Sequence, residues 1–162
     1  MQNQKGGRTM EKMRLSSPAF QDNKKIPAKF TCDGDNINPE LVIENVPRGI
    51  KSLALIMEDP DAPNGLWVHW VVWNIRPNIG KLVEHSEPRE SVIGKNSWGH
   101  NQYGGPCPPS GTHRYIFRLY ALDTVLDLAG TASKGQLDVA MNQHILAEAS
   151  LTGIYSESDG PS

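Results

Sequence analysis

Cysteine is scarce in this sequence: Cys32 and Cys107 are the only two. Two cannot build the dense framework of a small secreted domain, and their spacing fits no zinc motif. They read as reduced thiols of a cytoplasmic protein. Charge of one sign is lacking too. With 16 basic and 18 acidic residues the formal net charge is −2, so no basic excess is present to hold nucleic acid. No apolar run is long enough to span a bilayer, and no basic amphipathic helix is there to lie on one. Stable membrane insertion is therefore not expected. Residues 1–12 are polar and basic with no hydrophobic region behind them, which excludes a secretory pattern. They are expected to be a disordered or non-native segment, with Met10 and Met13 as alternative starts.

Glycine and proline, by contrast, are plentiful. Fifteen glycines and 12 prolines are spread along the chain, which suits many short strands joined by tight turns. A length of 162 residues allows one domain with a sizeable core. That domain is expected over 13–156, with a flexible tail at 157–162.

Four segments predict strands. "LALIME" (53–58) is short and apolar, and "LWVHWVVWNI" (66–75) is apolar on both alternating faces, as in a central strand buried on both sides. "RYIFRLYAL" (114–122) is rich in aromatic and branched residues. "ILAEASLTGIY" (145–155) alternates, with Ile145, Ala147, Ala149 and Leu151 on one face. "ELVIENV" (40–46) is a weaker fifth strand, and "KFTCDGDN" (29–36) reads as a short strand ending in a turn at Asp33-Gly34. Ser133 and Gln136 are spaced for a capping box, followed by Leu137, Ala140, Met141 and Ile145 at helical intervals, so a helix is expected over 134–144. The fold class is mainly β: a two-sheet sandwich with Greek-key connections and one or two short helices near the C-terminus.

Two stiff loops carry the residues with chemistry. In "EDPDAPNGLWVHW" (58–70), Pro60 and Pro63 restrict the residues before them. Asp59 ends one strand and His69 lies near the start of the next. Asp59 is in phase with Leu53, Leu55 and Met57, and His69 with Trp67, Val71 and Trp73. In "GGPCPPSGTHRY" (104–115), three glycines and three prolines precede His113, which is in phase with Tyr115, Phe117 and Leu119. A polar group on an apolar face must find a partner or cost stability, and strand ends beside loops are where sites are built. Taken singly, each histidine also reads as a satisfied structural group and each aspartate as a turn residue.

"DPDAP" (59–63), "WVHW" (67–70) and "GGPCPPSGTHRY" together closely resemble the phosphatidylethanolamine-binding protein family, in particular its bacterial and archaeal branch, often called Raf kinase inhibitor-like proteins. "SPAF", "IPAKFTCDGDNINPEL", "YALDTVLDL" and "HILAEASLTGIY" extend the likeness in the right order over nearly the whole chain. The resemblance implies a β-sandwich with a small anion pocket lined by Asp59, Asp61, Trp67, His69, Gly105, Pro106, His113 and Tyr115. It also implies a cis bond between Ala62 and Pro63. Arg114 would brace the loops from outside. In that pocket His69, His113 and Tyr115 would donate to an anion, the glycines at 104–105 would let backbone amides approach it, and Asp59 would orient a histidine or meet a cation.

The expected function is capture of a small anion or phosphorylated ligand, without cofactor or metal. A kinase or protease partner and a homodimer come as expectations with the family. Eukaryotic members carry a further C-terminal helix that "SESDGPS" (156–162) does not resemble. The alternative is a hydrolase or metal-dependent enzyme using the same His/Asp set, with Ser110, Thr112 or Cys107 as the nearest candidate nucleophiles.

Overall fold

The computed structural model describes residues 12–160. The expectation for residues 1–11 lies outside them. In chain order the strands are β1 (Arg14–Ser16), β2 (Lys24–Lys25), β3 (Leu41–Glu44), β4 (Ser52–Asp59), β5 (Trp67–Ile75), β6 (Lys81–Leu82), β7 (Val92–Ile93), β8 (Thr112–Leu122) and β9 (Ile145–Ser156), with helix α1 (Lys134–Met141) before the last. Six strands form one sheet in the order β2-β9-β8-β4-β5-β7, and three form a second, β1-β3-β6. Neighbours in the large sheet are antiparallel except β2 beside β9.

The main core lies between the sheets. Leu15, Leu41, Ile43 and Leu82 of the small sheet pack against Leu53, Leu55, Met57, Trp70, Val72, Phe117 and Leu119 of the large one. A second cluster covers the outer face of the large sheet, where Ala54, Ile56, Val71 and Trp73 meet Leu126, Leu137 and Met141. Every residue of β4 is consequently buried, which is why β4 reads as a continuous apolar run rather than an alternating one. In β8 the alternation is clean and His113, Tyr115, Phe117 and Leu119 all face inward, as their phase predicts.

Two local expectations change. The stretch at 29–36 is not a strand. Pro27 starts a 3-10 turn at Ala28–Phe30, and the Thr31 hydroxyl binds the Ala28 carbonyl and accepts from the Asp33 amide. Side-chain bonds of this local kind compete with a ladder. Helix α1 has its capping box, with Gln136 accepting from the Ser133 amide at 2.8 Å. It stops at Met141, however, because Gln143 adopts a positive φ of 70° and His144 turns to Asp123 at 2.7 Å. Residues 157–159, the start of the expected tail, form a 3-10 turn capped by Ser156.

Candidate functional site

The site is built at one end of the large sheet, where β4 ends, β5 begins and β8 begins. Glu58 pairs with Val68 and Met57 with Trp70, so His69 is an unmatched extra residue of β5. This β-bulge changes the phase. Trp70 and Val72 face the main core, whereas Val71 and Trp73 join the outer cluster. The expectation that His69 shares a face with Val71 and Trp73 is therefore corrected. A bulge beside a site re-aims one side chain, and here the ring edge-packs on Tyr115 at 5.2 Å and on Trp98 at 5.1 Å.

Asp59, His69 and His113 are 4%, 3% and 7% exposed, so each needs a partner. The His113 Nδ1 lies 2.6 Å from Asp59 Oδ2; a carboxylate accepts, so the ring donates from Nδ1. The His69 Nδ1–H donates to the Gly104 carbonyl at 2.7 Å. Each histidine thus spends Nδ1 on the protein and keeps Nε2. Burial lowers the His69 pKa, opposed by hydrogen bonding to the Gly104 carbonyl and by the Asp59 charge. The ring is neutral at neutral pH. Its Nε2 then accepts rather than donates. Tyr115, stacked on His113 with ring centroids 6.3 Å apart, is fully buried. Its hydroxyl, close to the Cys107 backbone, completes no hydrogen bond of ordinary geometry. Burial, then the charges of Asp59 and Asp61, push its pKa up, so it stays an O–H.

These groups open into a cavity of about 960 Å³. Asp59, Trp67, His69, Gly105, His113 and Tyr115 line it, as do Ala62 and Pro63. Two expected members do not. Asp61 accepts from the Arg114 amide, Nε and NH2 group at 2.8–2.9 Å, and this pairing lowers its pKa to about 2. That fork ties the 59–66 loop to the start of β8, with Arg114 outside the cavity. Pro106 is buried behind the wall, its carbonyl accepting from the Cys32 amide at 3.1 Å.

The expected cis bond at Ala62-Pro63 is absent: no peptide bond among the described residues is cis. The loop reverses by other means. Asp59 Oδ1 accepts from the Asp61 amide at 2.8 Å, and Gly65, at φ 102°, donates to the Ala62 carbonyl. The glycines at 104–105 also act differently from expectation. The Gly104 amide donates to the His69 carbonyl at 3.0 Å and the Gly105 amide to Asn36 Oδ1 at 2.7 Å, so neither is left for a ligand. Glycine is needed there for close packing, since a Cβ at 104 would strike the Trp98 ring and one at 105 the Phe30 carbonyl.

The cysteines are corrected as well. Cys32 and Cys107 form a disulfide on the cavity wall. Separation along the chain concealed it, because only the packing of the 28–36 turns against the 104–107 loop brings the two together. Free thiols no longer support the cytoplasmic placement. Among the described residues, no helix is long and apolar enough to cross a membrane. Nor, among them, is any group of three His, Cys, Asp or Glu placed to hold a metal ion.

Several lining residues were not anticipated: Asn36, Leu66, Asn96, Trp98, His100 and Tyr103. Four of these lie in "NSWGHNQYGG" (96–105), a polar and aromatic run directly before the glycine loop, which was the available signal. Asn96 fixes that run by accepting from the Trp98 and His100 amides.

The fold is a mainly β sandwich with a cavity of mixed polar and apolar lining at the strand ends of the large sheet. The phosphatidylethanolamine-binding protein family profile matches residues 16–156, and the chain belongs to that family. It is 53% identical over 148 residues to a UPF0098 protein of Methanothermobacter thermautotrophicus, covering 88% of this chain and 98% of that one. Among solved structures it is similar to CT736, a phosphatidylethanolamine-binding protein homologue of Chlamydia trachomatis. That match has a TM-score of 0.87 and 44% identity, over 90% of this chain and 98% of that one. YbcL of E. coli follows, with a TM-score of 0.84 and 29% identity over 90% and 99% of the two chains.

Proposed function

We propose that the protein binds small oxyanions, with a phosphoryl group as the preferred class. One observation carries the reading: His69 and His113, each fixed through Nδ1, and Tyr115, whose buried hydroxyl has no hydrogen-bond partner, converge on one cavity. A buried hydroxyl without a partner costs about 1–3 kcal/mol, which a ligand oxygen would recover. A neutral His69 accepts a proton and Tyr115 donates one. The ligand that suits both carries its own O–H beside bare oxygens, as hydrogen phosphate and phosphate monoesters do.

The cavity is far larger than a phosphate. Leu66 and Trp98, 44% and 42% exposed, stand at its rim and offer an apolar surface to whatever bears the group. Phosphorylethanolamine, a phosphorylated side chain of a kinase or protease partner, and free phosphate all share that chemistry. A homodimer, carried by family resemblance, belongs to the same proposal and is read by sedimentation.

Catalysis is not favoured. Cys107 is bound in the disulfide and cannot attack as a thiolate, and neither Ser110 nor Thr112 lines the cavity. A calorimetric screen of phosphate, phosphorylethanolamine, phospho-amino acids and nucleotides tests the reading. At least one should bind, and His69→Ala and His113→Ala should each weaken it about tenfold, or about 1.4 kcal/mol. Binding that ignores both substitutions, or no binding by any phosphorylated compound, contradicts the proposal.

A further inference from the structure

We propose that the Cys32–Cys107 bridge is a thiol-sensitive latch on this cavity, so that reducing it releases one wall and weakens the hold on the ligand. The inference rests on the anion-binding reading above. Both cysteines line the cavity and both are exposed, so a small thiol can reach the sulfurs; exposed disulfides are the labile ones. The wall that follows Cys107 is Pro108-Pro109. Prolines have no N–H, so this segment is poor at holding itself to a neighbour through its backbone.

The other ties between the two loops all lie on the far side of Cys107. The Tyr103 hydroxyl donates to the Phe30 carbonyl at 2.8 Å, Gly105 to Asn36 at 2.7 Å, and Cys32 to the Pro106 carbonyl at 3.1 Å. The next anchors in sequence are the pairing of Thr112 with Ser156 at the start of β8, then His113 on Asp59 and Arg114 on Asp61. Between them, the bridge is the covalent fixture of a loop that carries His113 at its end. Cutting it adds conformations that a bound ligand must then remove, which is a direct cost to affinity.

The chemistry balances with two thiols. A thiolate attacks one sulfur and breaks the S–S bond, the other sulfur leaves as a thiolate and takes a proton, and a second thiol resolves the mixed disulfide. The protein gains two electrons and two protons, and the reductant becomes a disulfide.

The test uses the full chain, air-oxidised or reduced with millimolar dithiothreitol, with free thiols counted in each. Inorganic phosphate is titrated by calorimetry, and amide hydrogen exchange is followed over 107–114. On reduction the phosphate Kd should rise about fivefold or more and recover on reoxidation, while exchange at Ser110–Thr112 should speed up about tenfold with the interior of β4 unchanged. The Cys32→Ser/Cys107→Ser double variant should match the reduced form and ignore dithiothreitol. Equal Kd in oxidised and fully reduced protein overturns the latch, as does a bridge that the dithiol cannot reduce without denaturant. Phosphate binding by neither form overturns the anion reading and the latch with it. Intact binding with unchanged exchange overturns the latch alone.

Discussion

His69 and His113 sit in one cavity yet are held by unlike partners, a backbone carbonyl and a carboxylate. The difference sets a pH dependence. The His69 pKa is lowered in the folded protein, so the unfolded chain binds the proton first. Folding stability is therefore undiminished above the ordinary histidine value of about 6.5 and declines as pH falls below it. The proposed anion binding should run the other way, because a bound negative charge favours protonated His69. Affinity for sulfate, whose charge is constant over this range, should rise as pH falls from 7 to 5, and His69→Ala should flatten the curve. Calorimetry at several pH values reads both. Substituting Asp59→Asn keeps the shape but removes the charge that His113 donates to, and should weaken phosphate less than removing either histidine. The residue types of the site were legible, since Asp59, His69 and His113 all interrupt apolar faces. Their partners were not: the choice of the Gly104 carbonyl for His69 depends on a loop placed 35 residues away.

At the scale of elements, the strands were legible because their apolar phase is physical: β4, β5, β8 and β9 lie within two residues of the expected segments. The bulge at His69 was not, since inserting one residue into a run apolar on both faces leaves no trace in the pattern. The 29–36 turn escaped for a related reason, as Phe30 is buried at its end just as a strand residue would be. The loop at 59–66 has a specific fastening in the Asp61–Arg114 fork. Both partners are substantially exposed, at 31% and 56% of their side chains, so Arg114→Ala should cost little stability. It should nevertheless loosen the loop and weaken ligand binding. The Asp61 pKa lies at about 2, so the fork contributes above the ordinary carboxylate value near 4 and is lost as pH falls toward 2. Urea titration of Arg114→Ala against the parent protein at pH 7 and pH 2.5 checks this: the difference should shrink at the lower pH.

For the whole molecule, the bridge joins positions 75 residues apart, and closing so long a loop removes much freedom from the unfolded chain. Cys32→Ser/Cys107→Ser should lower stability by about 2–4 kcal/mol, seen as an earlier midpoint in denaturant with the slope little changed. That pairing, the trans Ala62-Pro63 bond and the engaged amides of Gly104 and Gly105 are the points at which local sequence could not foretell assembly. Each is decided by which loops meet across the sheet end. The sandwich and the position of the cavity were legible because two proline-stiffened motifs share one end of one sheet. In the proposed mode of binding, His69 and His113 present their Nε2 atoms to a bound oxyanion. The most direct test of that mode is a titration of phosphate and of phosphorylethanolamine followed by the histidine ring resonances. Saturable shifts are expected at both His69 and His113 with one shared dissociation constant, while half-buried His144, bonded to Asp123 away from the cavity, stays put. Rings at 69 and 113 that do not respond to either compound would contradict it.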